Sequence, residues 1–162
     1  MAFDAYLKID GIPGESTAKG NENQIALESF SWGASNPATI SPASSGIGTG
    51  RVNISSFSIM KRQDSSSPEL FEHCCSGEHI KKAWLYIRKQ GKEQGVFHEL
   101  EFDTLVVESV QWSGSSGGDD VPTESVSLAF SKVTFGFAKQ KATGGMDAMK
   151  RKIWDLTKVA TS

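Results

Sequence analysis

The stretch SSSPELFEHCCSGEHIKKAWLYIRKQG, residues 65–91, decides the fold class of this 162-residue chain. Its first half carries the signals of a short helix. Ser67 is a favourable N-cap residue, Pro68 follows at the first helical position, and Gly77 can adopt the left-handed conformation that ends a helix. Beyond Gly77 the apolar residues alternate, which predicts a strand over residues 81–89. The stretch therefore predicts one isolated helix beside β-structure.

The helix has an amphipathic pattern. Leu70, Phe71, Cys74 and Cys75 recur at helical spacing and fall on one face. A single amphipathic helix among strands must bury this face against a sheet or a barrel. We therefore expect the helix to lie against the sheet or barrel.

Alternation predicts strands on both sides of the helix. They cover residues 3–9, 23–32, 51–61, 81–89, 96–112 and 123–140. In three of them the apolar residues change sides, near Glu28–Ser29, near Ser55–Ser56 and between Phe130 and Val133, which predicts a bulge or a sharp twist at each point. Long bent strands and one helix indicate a small antiparallel barrel or sandwich with the helix packed on it.

The segment between the second and third strands is unusual. Residues 33–50 read GASNPATISPASSGIGTG, rich in Gly, Ser, Pro and Ala. A structureless loop of this length is uncommon in a compact domain and usually has a function. We expect it to be a long, flexible loop.

Composition restricts the function classes. The length and the 38% hydrophobic content fit a single domain, residues 1–162. A net charge of −2 gives no strong field for nucleic acid, and no apolar stretch is long enough for membrane insertion. The N-terminus does not resemble a secretory signal peptide, and the adjacent Cys74 and Cys75 are not placed to pair with each other.

The chain offers no convincing constellation for catalysis or for a cofactor. His73, Cys74, Cys75 and His79 are spaced poorly for zinc, so we expect no metal. GIGTG at residues 46–50 precedes a strand, whereas a phosphate-binding loop opens a helix. No G-x-S-x-G motif supports a serine nucleophile, and Glu99, Glu101 and Asp103 alternate along one strand as surface residues do. We therefore expect neither an enzyme nor a cofactor site.

Two patterns leave alternatives open. Small polar residues follow some strand faces: Arg51, Asn53, Ser55, Ser125, Ser127 and Ser131. They indicate either ordinary solvent exposure or the wall of a water-filled space. The four tryptophans are either core and interface anchors or a platform for stacking sugars.

Five segments, taken in order, resemble one family. They are MAFDAYLKIDGIPGES (residues 1–16), residues 25–33 with SWG at 31–33, residues 67–91, VESVQWSGSSGGDDVPTESVSLAFSKVTFGF (residues 107–137) and WDL at 154–156. Together they resemble the Hcp family, the hemolysin-coregulated proteins of bacterial type VI secretion. The resemblance covers nearly the whole chain.

The resemblance implies a mainly β fold, a compact antiparallel β-barrel of two sheets with one flanking α-helix and a long extended loop. It implies a homo-hexamer whose stacked rings form a tube, with a spike protein at the tube tip, a contractile sheath and small effector proteins in the channel. It implies a protein that is cytoplasmic before firing and is then secreted without a signal peptide. It implies no nucleic acid, no membrane insertion, no metal and no cofactor.

The same resemblance suggests site residues. Small polar residues expected to face the channel are Ser31, Ser125 and Ser127. Residues of the long loop expected to contact neighbouring subunits or rings are Asn36, Pro37, Ile40, Ser41, Pro42 and Ile47. Two alternatives remain, a phage-type tail tube protein and a β-barrel carbohydrate-binding module that uses the tryptophans.

Overall fold

The computed structural model describes residues 2–40, 47–91, 95–118 and 120–160, with twelve strands and one helix. The strands are β1 Phe3–Ile9, β2 Ile25–Leu27, β3 Ser29–Ser31, β4 Ala34–Ser35, β5 Ala38–Ile40, β6 Ile47–Thr49, β7 Asn53–Ile54, β8 Phe57–Arg62, β9 Ile80–Lys89, β10 Val96–Ser113, β11 Thr123–Phe137 and β12 Lys150–Asp155. The helix α1 spans Ser67–Ser76. Mainly β structure with one helix is the predicted class.

Eight strands form one continuous antiparallel sheet in the order β2-β1-β9-β10-β11-β8-β3, with β12 paired to β11. The two edge strands, β2 and β3, are separated in sequence only by Glu28, whose N–H donates to the carbonyl of Met60 on β8 (2.8 Å). The sheet therefore curls until its edges meet, which makes a nearly closed barrel. The expected two sheets are joined into one because the same short segment pairs with both edges.

The three points at which the apolar residues were predicted to change from one face of a strand to the other are confirmed. The second predicted strand breaks at Glu28 into β2 and β3, and the third breaks at Ser55–Ser56 into β7 and β8. On β11 the buried positions move from Val126 and Leu128 to Val133, as expected between Phe130 and Val133. At Glu28 and along β11 the change lets the chain follow the curve of the barrel, and at Ser55–Ser56 it separates β8 from β7, which pairs with β4 outside the barrel sheet.

The helix flanks β10 and closes one end of the barrel. Gly77 has φ 71° and its N–H donates to the carbonyl of His73 (3.0 Å), so the predicted C-cap is confirmed. The N-cap is Ser66 instead of Ser67, and no side chain caps it. The reason is that the Ser67 hydroxyl is used inside the barrel, as described below.

The helix lies against the barrel as expected, and two of the four side chains on its predicted apolar face pack in or against the core. Leu70 is fully buried in the barrel core and Cys74 packs against that core. Phe71 is 52% exposed and Cys75 is also exposed, so these two do not enter the core. The helix inserts the narrow Leu70–Cys74 stripe because a single helix against a curved wall buries little more than one row.

Candidate channel and assembly surfaces

A row of serines crosses four neighbouring strands on the side opposite the core. Ser31 of β3 lies opposite Ser58 of β8, Ser58 lies opposite Ser127 of β11, and Ser127 lies opposite Ser109 of β10. Ser125 lies two residues from Ser127 and has the exposed Met60 as its neighbour on β8. We call Ser31, Ser58, Ser109, Ser125 and Ser127 the serine face. The structure thus brings together the three predicted channel residues.

One carboxylate organises part of this surface and was missed from the sequence. Glu108 lies at the register shift between Val107 and Ser109 on β10. It accepts hydrogen bonds from the Ser56 hydroxyl (3.0 and 2.9 Å) and from the Ser127 hydroxyl (3.4 Å). The bulge turns Glu108 toward the serines, and periodicity alone gives no sign of that direction.

The other residues of the predicted polar face lie elsewhere. Ser131 is half-buried and donates to the carbonyl of Asp103 (2.9 Å) across the β10–β11 ladder. Ser55 accepts from the N–H of Gly33 (2.8 Å) and donates to its carbonyl (3.1 Å). Arg51 and Asn53 line a small cavity of about 150 Å³ with Trp154. None of these four residues belongs to the row of serines.

The long loop forms a two-stranded arm. β4 pairs with β7 through Ala34↔Ile54 and Ser35↔Asn53, and β5 pairs with β6 through Ala38↔Thr49 and Ile40↔Ile47. Between these ladders the N–H of Gly50 donates to the carbonyl of Pro37 (2.7 Å). The sequence did not predict this pairing within the long extended loop, because backbone pairing between distant positions has no local signal. We call the paired segment from Ala34 to Ile54 the arm.

The predicted contact residues are distributed along the arm. Asn36 and Pro37 are exposed at the junction of the two ladders, and Ile40 and Ile47 form the last described pair of the outer ladder. Ser41 and Pro42 lie outside the described residues. At Gly50 a Cβ atom would lie 2.8 Å from Cγ of Pro37, so glycine is needed for this close approach.

Aromatic side chains crowd one end of the barrel. Phe135 lies 5.8 Å from Trp32 and 4.9 Å from His98 between ring centroids, and Phe30 lies 6.4 Å from Phe3. Phe3, Phe135 and Phe137 are 52%, 38% and 49% exposed. Burial among these rings lowers the pKa of the His98 imidazole, and its Nε2 has no hydrogen-bond partner among the described residues. We call Phe3, Trp32, His98, Phe135 and Phe137 the aromatic end.

The opposite end contains a buried ionic cluster that the sequence did not reveal. Lys61 and Glu124 are fully buried, and Lys61 Nζ lies 2.8 Å from Glu124 Oε2 and 2.9 Å from Asp64 Oδ1. The hydroxyl of Ser67 accepts from Lys61 Nζ (3.2 Å) and donates to Glu124. A signal existed, since Lys61 continues the inward alternation of Phe57 and Ile59. The α1 N-terminus is therefore fixed to the barrel interior.

The metal-ligand candidates and the strand carboxylates considered in the sequence analysis form no metal-binding or catalytic group among the described residues. Within the described parts of the chain, no three His, Cys, Asp or Glu side chains are grouped as metal ligands. Glu99 pairs with Arg151 (3.3 Å), and Glu101 and Asp103 pair with Lys82 (2.8 and 3.3 Å), so these carboxylates form surface ion pairs.

The tryptophans do not share one surface. Trp32 contacts Phe135, Trp84 lies under the ammonium of Lys8, and Trp112 contacts Phe71 at the other end of the barrel. Trp154 packs half-buried against the core. This dispersal gives no flat platform for a sugar. In the described residues no helix has the length and hydropathy of a membrane span.

Comparison with known proteins identifies the family. A family model described as "Type VI secretion system effector, Hcp" matches residues 6–137. Protein hcp1 of Pseudomonas aeruginosa is 38% identical over 148 residues, which is 91% of this chain and 90% of that protein.

Solved structures agree with this match. A type six secretion system protein superposes with a TM-score of 0.95 at 30% identity, over 99% of this chain and 100% of the other. Hcp1 from Salmonella typhimurium superposes with a TM-score of 0.81 at 31% identity, over all of both chains. The chain therefore belongs to the Hcp family, the structural and secreted proteins of type VI secretion.

Proposed function

We propose that this protein is the tube subunit of a type VI secretion system. Six copies form a ring, the rings stack into a tube within a contractile sheath and below a spike protein, and the channel carries small effector proteins. The subunit assembles in the cytoplasm and leaves the cell with the tube. The chain acts as a single Hcp-like domain without catalysis.

The serine face is the observation that supports a channel. It presents short hydroxyl side chains across four adjacent strands, and its carboxylate Glu108 is held by two serines. Such a wall is wettable, and its serines offer only short side chains to a bound protein, beside the longer Met60 and Gln111. Cargo would therefore bind weakly and leave easily. Ser31, Ser125 and Ser127 are the proposed channel residues.

The arm supports assembly. Its strands pair with each other outside the barrel sheet, and Asn36 and Pro37 are exposed. An exposed two-stranded ribbon is marginally stable alone and gains stability when another surface covers it. We propose that Asn36, Pro37, Ile40, Ser41, Pro42 and Ile47 contact a neighbouring subunit or ring. The family match favours this role over a phage tail tube or a sugar-binding module.

Imaging with a position-specific label tests the proposal. Ser127→Cys and Ser31→Cys, made in a Cys74→Ala/Cys75→Ser background, are labelled with monomaleimide gold and examined by negative stain with light scattering. We expect six-fold rings with gold at the centre. Lys19→Cys is the matched control, because Lys19 is exposed and its carbonyl accepts a hydrogen bond from Arg88 on β9, a strand that carries no residue of the serine face. The proposal would be contradicted if gold appeared at the ring centre only for Lys19→Cys. It would also be contradicted if the protein stayed monomeric at high concentration.

A further inference from the structure

One charged side chain lies among the serines of the serine face. Glu108 is exposed at the register shift of β10, and its carboxylate accepts hydrogen bonds from the hydroxyls of Ser56 (3.0 and 2.9 Å) and Ser127 (3.4 Å). These two serines come from separate segments of the chain, so they restrict the carboxylate to one position beside Ser127. Glu108 is therefore a fixed negative charge on the serine face.

The Glu108 carboxylate can accept further hydrogen bonds. Its two oxygens offer about four acceptor positions, and each serine hydroxyl donates only one proton. The two serines therefore leave part of this capacity unused, and the exposure of Glu108 makes it accessible from outside the subunit. A Lys or Arg side chain of another molecule can use it through a charge-assisted hydrogen bond.

No cation in the described part of the chain neutralises this charge. None of the ion pairs formed there includes Glu108. Arg62 lies on the same outward side of β8 as the serines, but its Nε already pairs with Glu28 (3.1 Å). The longer side chains beside the serines, Met60 and Gln111, are uncharged. The one unpaired charge on this described surface is therefore negative.

Ring assembly would repeat this charge around the channel. In the proposed hexamer, the serine faces of six copies line one channel, so six fixed carboxylates surround it. Rings of acidic side chains select cations in channels, and a lining of one sign raises the local concentration of the opposite charge. The exposed Met60 adds an apolar contact on the same face.

We infer that Glu108 makes the channel selective for cargo that presents Lys or Arg side chains. The ammonium or guanidinium group of the cargo donates to the Glu108 carboxylate, and the serines around it offer only short polar side chains. Cargo with an acidic surface is disfavoured because like charges then face each other. The inference rests on the proposed tube subunit and adds the charge of the cargo that it prefers.

Two fluorescent peptides of equal length test the inference. One alternates lysine with serine, the other alternates glutamate with serine, and fluorescence anisotropy measures their binding to purified rings at low salt. Rings should prefer the lysine peptide, and Glu108→Gln should lower its affinity by about tenfold or more, because the charge is lost at nearly constant size. Glu108→Lys should reverse the preference between the two peptides.

Glu72→Gln is the matched control for Glu108→Gln. It removes the same charge from an exposed position on α1, which carries no residue of the serine face, and should leave the affinity unchanged. Light scattering and thermal unfolding of each variant check that the rings and the barrel are intact.

A labelling measurement keeps Glu108 unchanged and decides the matter if Glu108→Gln forms no rings. Ser109→Cys and Thr17→Cys, each in the Cys74→Ala/Cys75→Ser background, react with a lysine peptide that carries a bromoacetyl group. Relative to its rate with neutral bromoacetamide, Ser109→Cys should react about tenfold faster, because Glu108 concentrates the peptide beside it. Thr17 is exposed before β2 and should show no such gain.

The outcomes separate this inference from the proposed function. Wild-type rings without a preference for the lysine peptide, or equal effects of Glu108→Gln and Glu72→Gln, would overturn the inference and leave the tube subunit standing. Equal relative labelling rates at the two cysteines would do the same. A wild-type protein that forms no rings would overturn the tube subunit and this inference with it.

Discussion

The two ends of the β10–β11 hairpin differ in what they bury: one end buries charged side chains, and the other exposes aromatic ones. At the helix end, Lys61 and Glu124 are fully buried and paired. At the aromatic end, Phe135 and Phe137 lie in the inward row of their strand, yet both are exposed. The helix closes the first end, and no element of the described chain closes the second. The first end therefore stabilises the subunit, and the second leaves two aromatic rings in contact with solvent.

Loss of Lys61 should give the largest effect on the subunit. Lys61→Ala leaves Glu124 charged and buried without its partner, which should lower the free energy of unfolding by about 3–5 kcal/mol. Urea unfolding of dilute, monomeric protein measures this change. Lys61→Met/Glu124→Leu should recover most of the loss, because it removes both charges together. A cost below about 1 kcal/mol for Lys61→Ala would show that the cluster is not important for stability.

Truncation of an apolar side chain should lower stability more at the helix end than at the aromatic end, and this difference is the second largest expected effect. Leu70→Ala, which empties a fully buried site, should cost about 2–5 kcal/mol. Phe137→Ala at the aromatic end should cost about 1 kcal/mol, because half of that ring is already in water. The same urea titration compares the two variants. Equal costs would mean that the aromatic end is part of the folding core.

Loss of the hydrogen bonds between Ser55 and Gly33, where the arm begins, should destabilise the arm more than the barrel. Ser55→Ala removes two hydrogen bonds to Gly33 and should cost less than about 1 kcal/mol in global stability. Amide hydrogen exchange across residues 33–40 should nevertheless become faster. Ser56→Ala, whose hydroxyl binds Glu108, is the matched control and should leave arm exchange unchanged. Unaltered amide exchange of the arm in Ser55→Ala would show that the hydrogen bonds between Ser55 and Gly33 do not stabilise it.

The smallest effect should come from His98. Burial lowers the pKa of its imidazole in the folded state. The unfolded state then binds more protons, so the contribution to stability is present above the unfolded pKa of about 6.5 and is lost as the pH falls through the folded pKa. Unfolding titrations at several pH values should show this decline. It should be weaker in His98→Gln, and an identical pH profile would exclude His98 as its source.

The sequence predicted local features well. The C-cap Gly77, the breaks at Glu28 and at Ser55–Ser56, and the change of side beyond Phe130 all follow from spacing along the chain. Each depends on backbone preference or on alternation, which operate over a few residues. The position of Phe71 was not predictable in this way, because how wide a helix stripe is buried depends on the curvature of the wall beneath it.

The sequence by itself determined the class of fold, the family resemblance and three serines that share one face. Only the tertiary structure decided which residues meet across the chain: Lys61 with Glu124, the two sides of the arm, and the exposed rings at the aromatic end. The physical reason is that strand register and barrel closure join residues tens of positions apart. Charge pairing and exposure follow from that closure, and alternation along a single strand does not encode it.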